Sequence, residues 1–433
     1  MFNRKCSKVN EVKRVRVDKN NPSIQRIEER CINCGMCMNT CENIVGIDHS
    51  YEKEDNALCI NCGACIMHCP VGALTPKYDY KKVLNLLKDS NKILAVSIAP
   101  AVRVALSYEF GLKDGTNMED IIPTICRHLG FKYVFDVTFG ADVTIMEESK
   151  EFVQRLKDGE KLPLYTSCCP SWVKYASMFH PDILKNLSTA KSPIGMQSSL
   201  IKTYFKEFND INEDIISVVI TPCTSKKYEI QKEDTDYVLT VQEFAMMVRE
   251  CRIDVKSLKP SNFDYMLSKG SKSAVMFGRS GGVMEAILNN AYHMITKKRP
   301  TDGMFHIDIT EPITERRIKI GKYTINTVVI YGMNALNEFL ENKIDADIIE
   351  VMNCNLGCIG GGGTPLIPIK NIQNSVEERK SALNSVDADV SFAYENENIK
   401  ELYNTYINKL SEEDTKELLH TTHKSLRKLI KTE

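Results

Sequence analysis

With 433 residues, 43% of them hydrophobic and 26% charged, the chain has an ordinary globular composition and is long enough for two or three packed units. A formal net charge of -1 excludes the basic excess of a duplex binder, so nucleic acid is not an expected partner. No apolar run reaches the roughly 20 residues of a membrane span, and the start lacks the apolar stretch of a secretory signal. The expected location is therefore the cytoplasm, where sixteen cysteines point to metal ligation or redox chemistry rather than disulfides.

Residues 1–25 are polar and basic, with Arg4, Lys5, Lys8, Lys13, Arg14, Arg16 and Lys19, and predict an extended, solvated arm. Residues 26–80 are dense in cysteine. There Cys31, Cys34, Cys37 and Cys41 form C-x2-C-x2-C-x3-C, and Cys59, Cys62, Cys65 and Cys69 repeat it, ending in Cys69-Pro70. Two such runs are the pattern of a two-cluster ferredoxin, in which the fourth thiolate of each run crosses to the other cubane. Cys31, Cys34, Cys37 and Cys69 are thus assigned to one [4Fe-4S] cluster, and Cys59, Cys62, Cys65 and Cys41 to the second. Zinc modules use separated C-x2-C pairs and fit poorly. Gly35 and Gly63 permit tight turns inside the ligand loops. Cys41 is followed by Glu42 where a proline is common, which leaves ligation intact.

From 81 to 375, apolar runs alternate with amphipathic ones, the pattern of α/β layers with a largely parallel sheet. Ile93–Ile98, Tyr133–Val137, Leu164–Ser167, Ile216–Ile220, Ala274–Phe277, Thr327–Tyr331 and Ile348–Met352 read as buried strands. Residues 376–433 are polar, with helical segments predicted around 396–410 and 411–430. These are too poor in apolar residues to fold alone and are expected to wrap the main domain. Apart from the twin cysteine runs there is no internal repeat and no low-complexity tract.

Three cysteine motifs follow predicted strands: Thr166-Ser167-Cys168-Cys169-Pro170, Thr221-Pro222-Cys223-Thr224-Ser225-Lys226, and the segment holding Cys354 and Cys358. Carboxyl ends of strands in an open α/β sheet face one crevice, which gives a geometric reason to group them. Gly360 to Gly363 lack the GK[ST] ending of a phosphate loop, so close backbone packing is the better account.

These three segments, TSCCPSW, TPCTSKKYE and EVMNCNLGCIGGGGTP, resemble the signatures of the [FeFe] hydrogenase catalytic domain, and the similarity runs in order from the ferredoxin-like module through nearly the whole chain. The resemblance implies a ferredoxin-like two-cluster domain, an α/β hydrogenase domain and a helical C-terminal wrap, together of α+β and α/β class. It implies an H-cluster, a [4Fe-4S] cubane joined to a diiron unit with CO, cyanide and an azadithiolate. The cubane would be held by Cys169, Cys223, Cys354 and Cys358, with Cys358 bridging. Cys168 would be a free thiol exchanging protons with the azadithiolate amine, with the electropositive cluster surroundings governing its pKa. Lys226 would donate to a cyanide ligand. Pro100, Pro193, Phe277, Met352 and Thr221 would line the diiron pocket.

A buried centre that consumes protons needs a relay, because a lone proton cannot cross a low-dielectric interior. Glu148 and Glu151 share a helix face at i, i+3 spacing. The resemblance makes them relay members leading through Ser188 to Cys168, with Arg155 at the outer end and Glu147 facing outward. It also implies the interconversion of protons, electrons and H2, with ferredoxin or a similar carrier as donor and maturation proteins loading the diiron unit. Rival readings are a non-catalytic iron–sulfur assembly factor and a hydrogen-sensing member. The first typically lacks the free cysteine and the pocket lysine, and the second usually lacks the free cysteine and carries an added sensory domain. Departures from the family are Thr221 in place of a methionine, Ile194 in place of a frequent polar residue and Thr364 in place of a frequent glutamine. Cys6, Cys126 and Cys251 read as ordinary thiols. His420 and His423, in a tail resembling the family's small subunit, read as packing residues.

Overall fold

The computed structural model describes residues 14–230 and 234–431. Among the described residues ten strands run in chain order: β1 (Ile24–Arg26), β2 (Leu74–Pro76), β3 (Ile93–Ile98), β4 (Tyr133–Asp136), β5 (Leu164–Tyr165), β6 (Ile215–Thr221), β7 (Tyr237–Thr240), β8 (Ile313–Ile320), β9 (Tyr323–Tyr331) and β10 (Ile348–Met352). β1 and β2 form an antiparallel pair that closes the cysteine-rich module. The main domain has two four-stranded sheets. One is parallel throughout in the order β4-β3-β6-β7, and the other has the order β5-β10-β9-β8, antiparallel only between β8 and β9. Every residue of β3 and β10 is buried, as near-continuous apolar runs in parallel sheets covered on both faces require.

Six helices position the site: α1 (Thr138–Asp158), α2 (Pro170–Phe179), α3 (Pro193–Leu200), α4 (Gly282–Thr296), α5 (Glu397–Thr405) and α6 (Glu412–Leu419). α1 lies between the sheets. Its Ala141, Ile145, Phe152 and Val153 pack with Leu164, Val329 and Ile348 of the second sheet, while its Phe139 and Val143 pack with Ile93, Ala95 and Phe135 of the first. The module is seated on the second sheet, where Val45, Ile47, Leu58 and Ile60 share a core with Tyr165, Trp172, Ile349 and Val351.

Several sequence expectations change. Ala274–Phe277 is not a strand: Lys272–Met276 is a short helix whose N-cap, Ser271, accepts the Ala274 N–H at 3.2 Å. A brief apolar run carries no periodicity that separates the two conformations, and the cap decides. The two main-domain sheets replace the single sheet implied by the strand pattern. The basic arm is not solvated along its whole length: Val15 and Asn21 are buried, and the Asn21 Oδ1 accepts from the Ser23 and Ile24 N–H groups that open β1. Arg4, Lys5, Cys6, Lys8 and Lys13 lie outside the described residues. In the tail, α-helix ends at Leu419, and His420 continues as an extended bridge antiparallel to Ala190, so 411–430 is α-helical only in its first part, with a 3-10 turn at Arg427–Leu429. Similarly, the segment 396–410 holds α5 and then a separate 3-10 turn, Ile407–Lys409.

Candidate functional site

In the module the second run of thiols lies inward and the first outward. Cys34 is exposed, beside Ile32 at 62% exposure, whereas Cys62 is buried. Cys41, last of the first run, lies against Cys62 and Cys59 of the second: burial and then those two neighbours push its thiol well up. Backbone N–H groups aim at the sulfurs, as from Asn61 to Cys59 and from Ala73 to Cys69, both at 3.2 Å. Arg14 Nη1 donates to Cys31 at 3.4 Å.

The second run abuts the main domain. Ser225 and Thr224 hydroxyls donate to the carbonyls of Ile60 and Asn61 at 3.0 and 2.8 Å. A Cβ on Gly362 would stand 2.6 Å from the Cys62 carbonyl oxygen, and one on Gly361 would stand 2.5 Å from that of Pro222. The glycine run therefore lets three loops pack backbone to backbone.

Cys169 is the N-cap of α2, directly after β5; Cys223 follows β6; Cys354 and Cys358 follow β10. The crevice is thus bounded by carboxyl ends from both sheets, with Cys223 supplied by the first and the others by the second. The Cys354 thiol is pushed far up by burial and then by Cys223, Cys169 and Cys358, which places the four together. Burial pushes Cys223 up to about 11, with Cys169 adding to it. Buried thiolates are costly unless a cation takes their charge. N–H donors nevertheless converge on them, from Trp172, Asn353 and Ser171 to Cys169 and from Lys226 and Ser225 to Cys223. Four clustered thiols with amide donors suit an iron–sulfur cubane. Among the described residues no three His, Cys, Asp or Glu side chains close on a single metal ion.

Beside them opens a small cavity of about 70 Å³. Every pocket residue expected from the sequence lines it: Pro100, Cys168, Pro193, Thr221, Lys226, Phe277 and Met352, with Cys358 and Ile194. Lys226 is its one charged wall residue. Burial opposes the charge, but Glu229 at 2.7 Å outweighs it and keeps the Lys226 pKa raised, and Nζ also donates to the Cys168 carbonyl at 3.0 Å.

Glu148, on α1, is fully buried, and its Oε1 accepts the Ser167 N–H at 3.3 Å. Its Oε2 has no hydrogen-bond partner among the described residues. Burial pushes its pKa up to about 8 against the Ser188 hydroxyl and the Ser167 N–H, so it carries a proton near neutral pH. Within the protein alone, burial and then the Glu148 carboxylate raise the Cys168 thiol, and Lys226 opposes them. Glu151 Oε2 accepts from Ser188 Oγ at 3.1 Å, and its Oε1 accepts from Arg155 Nη2 at 2.5 Å. Of the predicted series, Arg155, Glu151 and Ser188 are joined by hydrogen bonds and Ser188 reaches Glu148, while Glu148 acts on Cys168 through its charge, with no hydrogen bond between the two among the described residues. Glu147 does not face outward. It is buried, pairs with Lys150 at 2.6 Å and accepts the Tyr403 hydroxyl. Burial opposes its charge, but His420, Lys150 and Tyr403 together lower its pKa to about 2.

Residues 92–362 match the family described as "Iron only hydrogenase large subunit, C-terminal domain". This chain belongs to the iron-only hydrogenases. Residues 373–426 of the hydrogenase match "Iron hydrogenase small subunit", and 28–44 and 53–75 match families described as "4Fe-4S binding domain". It is 33% identical to Iron hydrogenase 1 of Clostridium pasteurianum over 94% of this chain and 77% of that one. It is also 36% identical to the periplasmic [Fe] hydrogenase large subunit of Nitratidesulfovibrio vulgaris, over 80% and 87%. A more distant relative, at 28% over 78% and 87%, is the cytosolic Fe-S cluster assembly factor narfl of Danio rerio. A variant of the apo [FeFe]-hydrogenase HydA1 from Chlamydomonas reinhardtii superposes with a TM-score of 0.72 at 30% identity, covering 81% of this chain and 99% of that one. The protein is an oxidoreductase, and 4Fe-4S clusters and the H-cluster are its cofactors. No helix among the described residues is long and apolar enough to cross a membrane.

Sequence reading missed Val137, Ala141 and Gly278 among the walls of the hydrogenase cavity, since such residues carry no chemical signature. It also missed Thr189 and the polar contacts of His420. Among the unassigned thiols, Cys126 is buried in the core and Cys251 is exposed.

Proposed function

We propose that this hydrogenase reversibly combines protons and electrons into H2, with electrons from reduced ferredoxin or a similar small carrier, in the cytoplasm, after maturation proteins load its diiron unit. The observation that carries this reading is the free thiol of Cys168 at the cavity wall, next to four clustered thiols on one side and a buried carboxyl relay on the other. Residues 26–80 form the electron-transfer domain, 81–375 the catalytic domain and 376–433 the wrap. Cys31, Cys34, Cys37 and Cys69 hold the outer cubane, which receives electrons near the exposed Cys34, and Cys59, Cys62, Cys65 and Cys41 hold the inner one. Cys169, Cys223, Cys354 and Cys358 would hold the H-cluster cubane, with Cys358 on the wall of the cavity that would take the diiron unit. When bound, the H-cluster supplies the redox and hydrogen-forming chemistry.

The chain supplies the surroundings. Pro100, Pro193, Phe277 and Met352 keep the cavity apolar and exclude water, and Thr221 presents a smaller, harder wall than a thioether would. Lys226 provides a fixed ammonium for an anionic ligand, oriented by Glu229. Cys168 Sγ holds the proton delivered to the cavity and takes its replacement from Glu148, which Ser188 connects to Glu151. The narfl relative favours a second reading, an iron–sulfur assembly factor; Cys168 and Lys226 weigh against it because a non-catalytic carrier needs neither. Protein loaded with the diiron unit is expected to release H2 with reduced ferredoxin or viologen. Stable clusters without H2, together with cluster transfer to acceptor apoproteins, would select the assembly factor.

A further inference from the structure

The relay connects Glu151 to Cys168 but leaves open how a proton reaches Glu151 from water. The side chain of Glu151 is 17% exposed and that of Arg155 only 9%. A guanidinium keeps its protons at any ordinary pH, and the Arg155 donors are engaged by Glu151 and by the carbonyls of Lys161, Asn186 and Leu187. Arg155 thus seals that end as a fixed charge and does not conduct.

A second hydrogen-bonded chain leaves Glu151 in another direction. Thr189 Oγ1 is 3.3 Å from Glu151 Oε2 and 2.9 Å from His420 Nδ1. On the far side of the ring, His420 Nε2 is 3.4 Å from Glu147 Oε2, and the side chain is 21% exposed. His420 and Thr189 line an open groove between α1 and the tail. The backbone fixes this meeting: the Thr421 N–H donates to the Thr189 carbonyl at 2.7 Å, and the Lys191 N–H donates to that of Leu419 at 2.9 Å.

We propose that His420 is the proton-entry group of this enzyme, with Thr189 as the hydroxyl bridge to Glu151 and Glu147 as the fixed counter-ion of the imidazolium. The proposal rests on the hydrogenase reading above. Water in the groove gives a proton to Nε2, forming an N–H bond and the imidazolium. The Nδ1–H bond then breaks as its proton passes to Thr189 Oγ1, whose own proton forms an O–H bond on Glu151. The ring, left neutral with its proton on Nε2, turns toward the groove, where Nδ1 takes a proton from water as Nε2 gives its proton up to water, and swings back as its first tautomer; the reverse order discharges protons during H2 oxidation. Glu147 stays ionised through its bonds to His420, Lys150 and Tyr403, so it stabilises the charged ring without joining the transfer. The other charged groups around the ring are Lys150 and Glu151 of α1 and Glu412 and Lys416 of α6.

Two measurements on the full chain test this. Histidine-selective 15N NMR of anaerobic protein carrying only its cubanes, assigned with His420→Gln, should show both ring nitrogens of His420 hydrogen-bonded, with the Nε2 resonance moving in Glu147→Gln and the Nδ1 resonance moving in Thr189→Val. In diiron-loaded enzyme with unchanged infrared bands, His420→Gln should slow H2 production in dilute buffer on the order of a hundredfold, and added imidazole should restore it. His420 resonances that neither variant moves, full activity in His420→Gln, or a loss that imidazole leaves untouched overturns the entry group. Wild-type enzyme that makes no H2 would instead overturn the hydrogenase reading, while the histidine resonances still decide the contacts of the ring.

Discussion

The module and the catalytic crevice bring thiols together by opposite means. In the module, Cys31 to Cys41 and Cys59 to Cys69 are neighbours in sequence, and short helical turns such as Met36–Asn39 and Ala64–Met67 orient them. In the crevice, Cys169, Cys223 and the Cys354–Cys358 pair arrive from the ends of β5, β6 and β10 in two different sheets. The first arrangement needs only local spacing, while the second exists only once the main domain is folded. A locally built site belongs to electron carriers that fold as small units; a site built by convergence can enclose a cavity, a relay and a free thiol.

Breaking one crevice ligand should have the largest effect. Cys354→Ala should remove one cubane's worth of iron and all H2 production while the module keeps its electron paramagnetic resonance signals, because the two sets do not share ligands. Simultaneous loss of the module signals would show that the sets are not independent. Next, Cys168→Ala should keep every cluster and lose turnover by about 10²- to 10⁴-fold, the range of a positioned acid or base. Full activity in that variant would remove Cys168 from the proton route.

Glu148 sharpens the comparison through stability. Its folded-state pKa is raised from 4.5 to about 8 by burial, so the fold carries no penalty from it below the unfolded value. The penalty grows as pH rises through the window and is complete above about 8. The unfolding free energy of wild type, from denaturant titrations, should therefore fall with pH relative to Glu148→Gln, by on the order of a few kcal/mol over that window. Parallel curves would show that Glu148 is ionised without cost. The smallest effect is expected at the surface of the module: Arg14→Ala removes a donor from the Cys31 sulfur and should lower the potential of the outer cubane slightly in a redox titration, without changing the H-cluster infrared spectrum.

The same contrast governs what sequence could reveal. Cysteine spacing displayed the module directly, and apolar runs located β3 and β10 to the residue. The crevice motifs were legible as strand-end segments, but their division between two sheets was not, since spacing says nothing about which strands pair. Ala274–Phe277 was misread because a capping serine outside the run decides its conformation. Glu147 looked like a solvated helix carboxylate because its partners Tyr403 and His420 come from α5 and the tail, far away in sequence. Glu350 sits unmarked within an apolar strand; its oxygens accept the Gly281 and Met284 N–H groups at the start of α4, both at 2.7 Å, and that role is invisible without the fold.

The most direct test is infrared spectroscopy of the purified chain after treatment with the diiron cofactor. Four clustered thiols beside an apolar cavity should yield sharp CO and cyanide bands that persist through desalting and vanish in Cys358→Ala. Protein that binds iron only in its ferredoxin-like portion and shows no such bands would contradict the account.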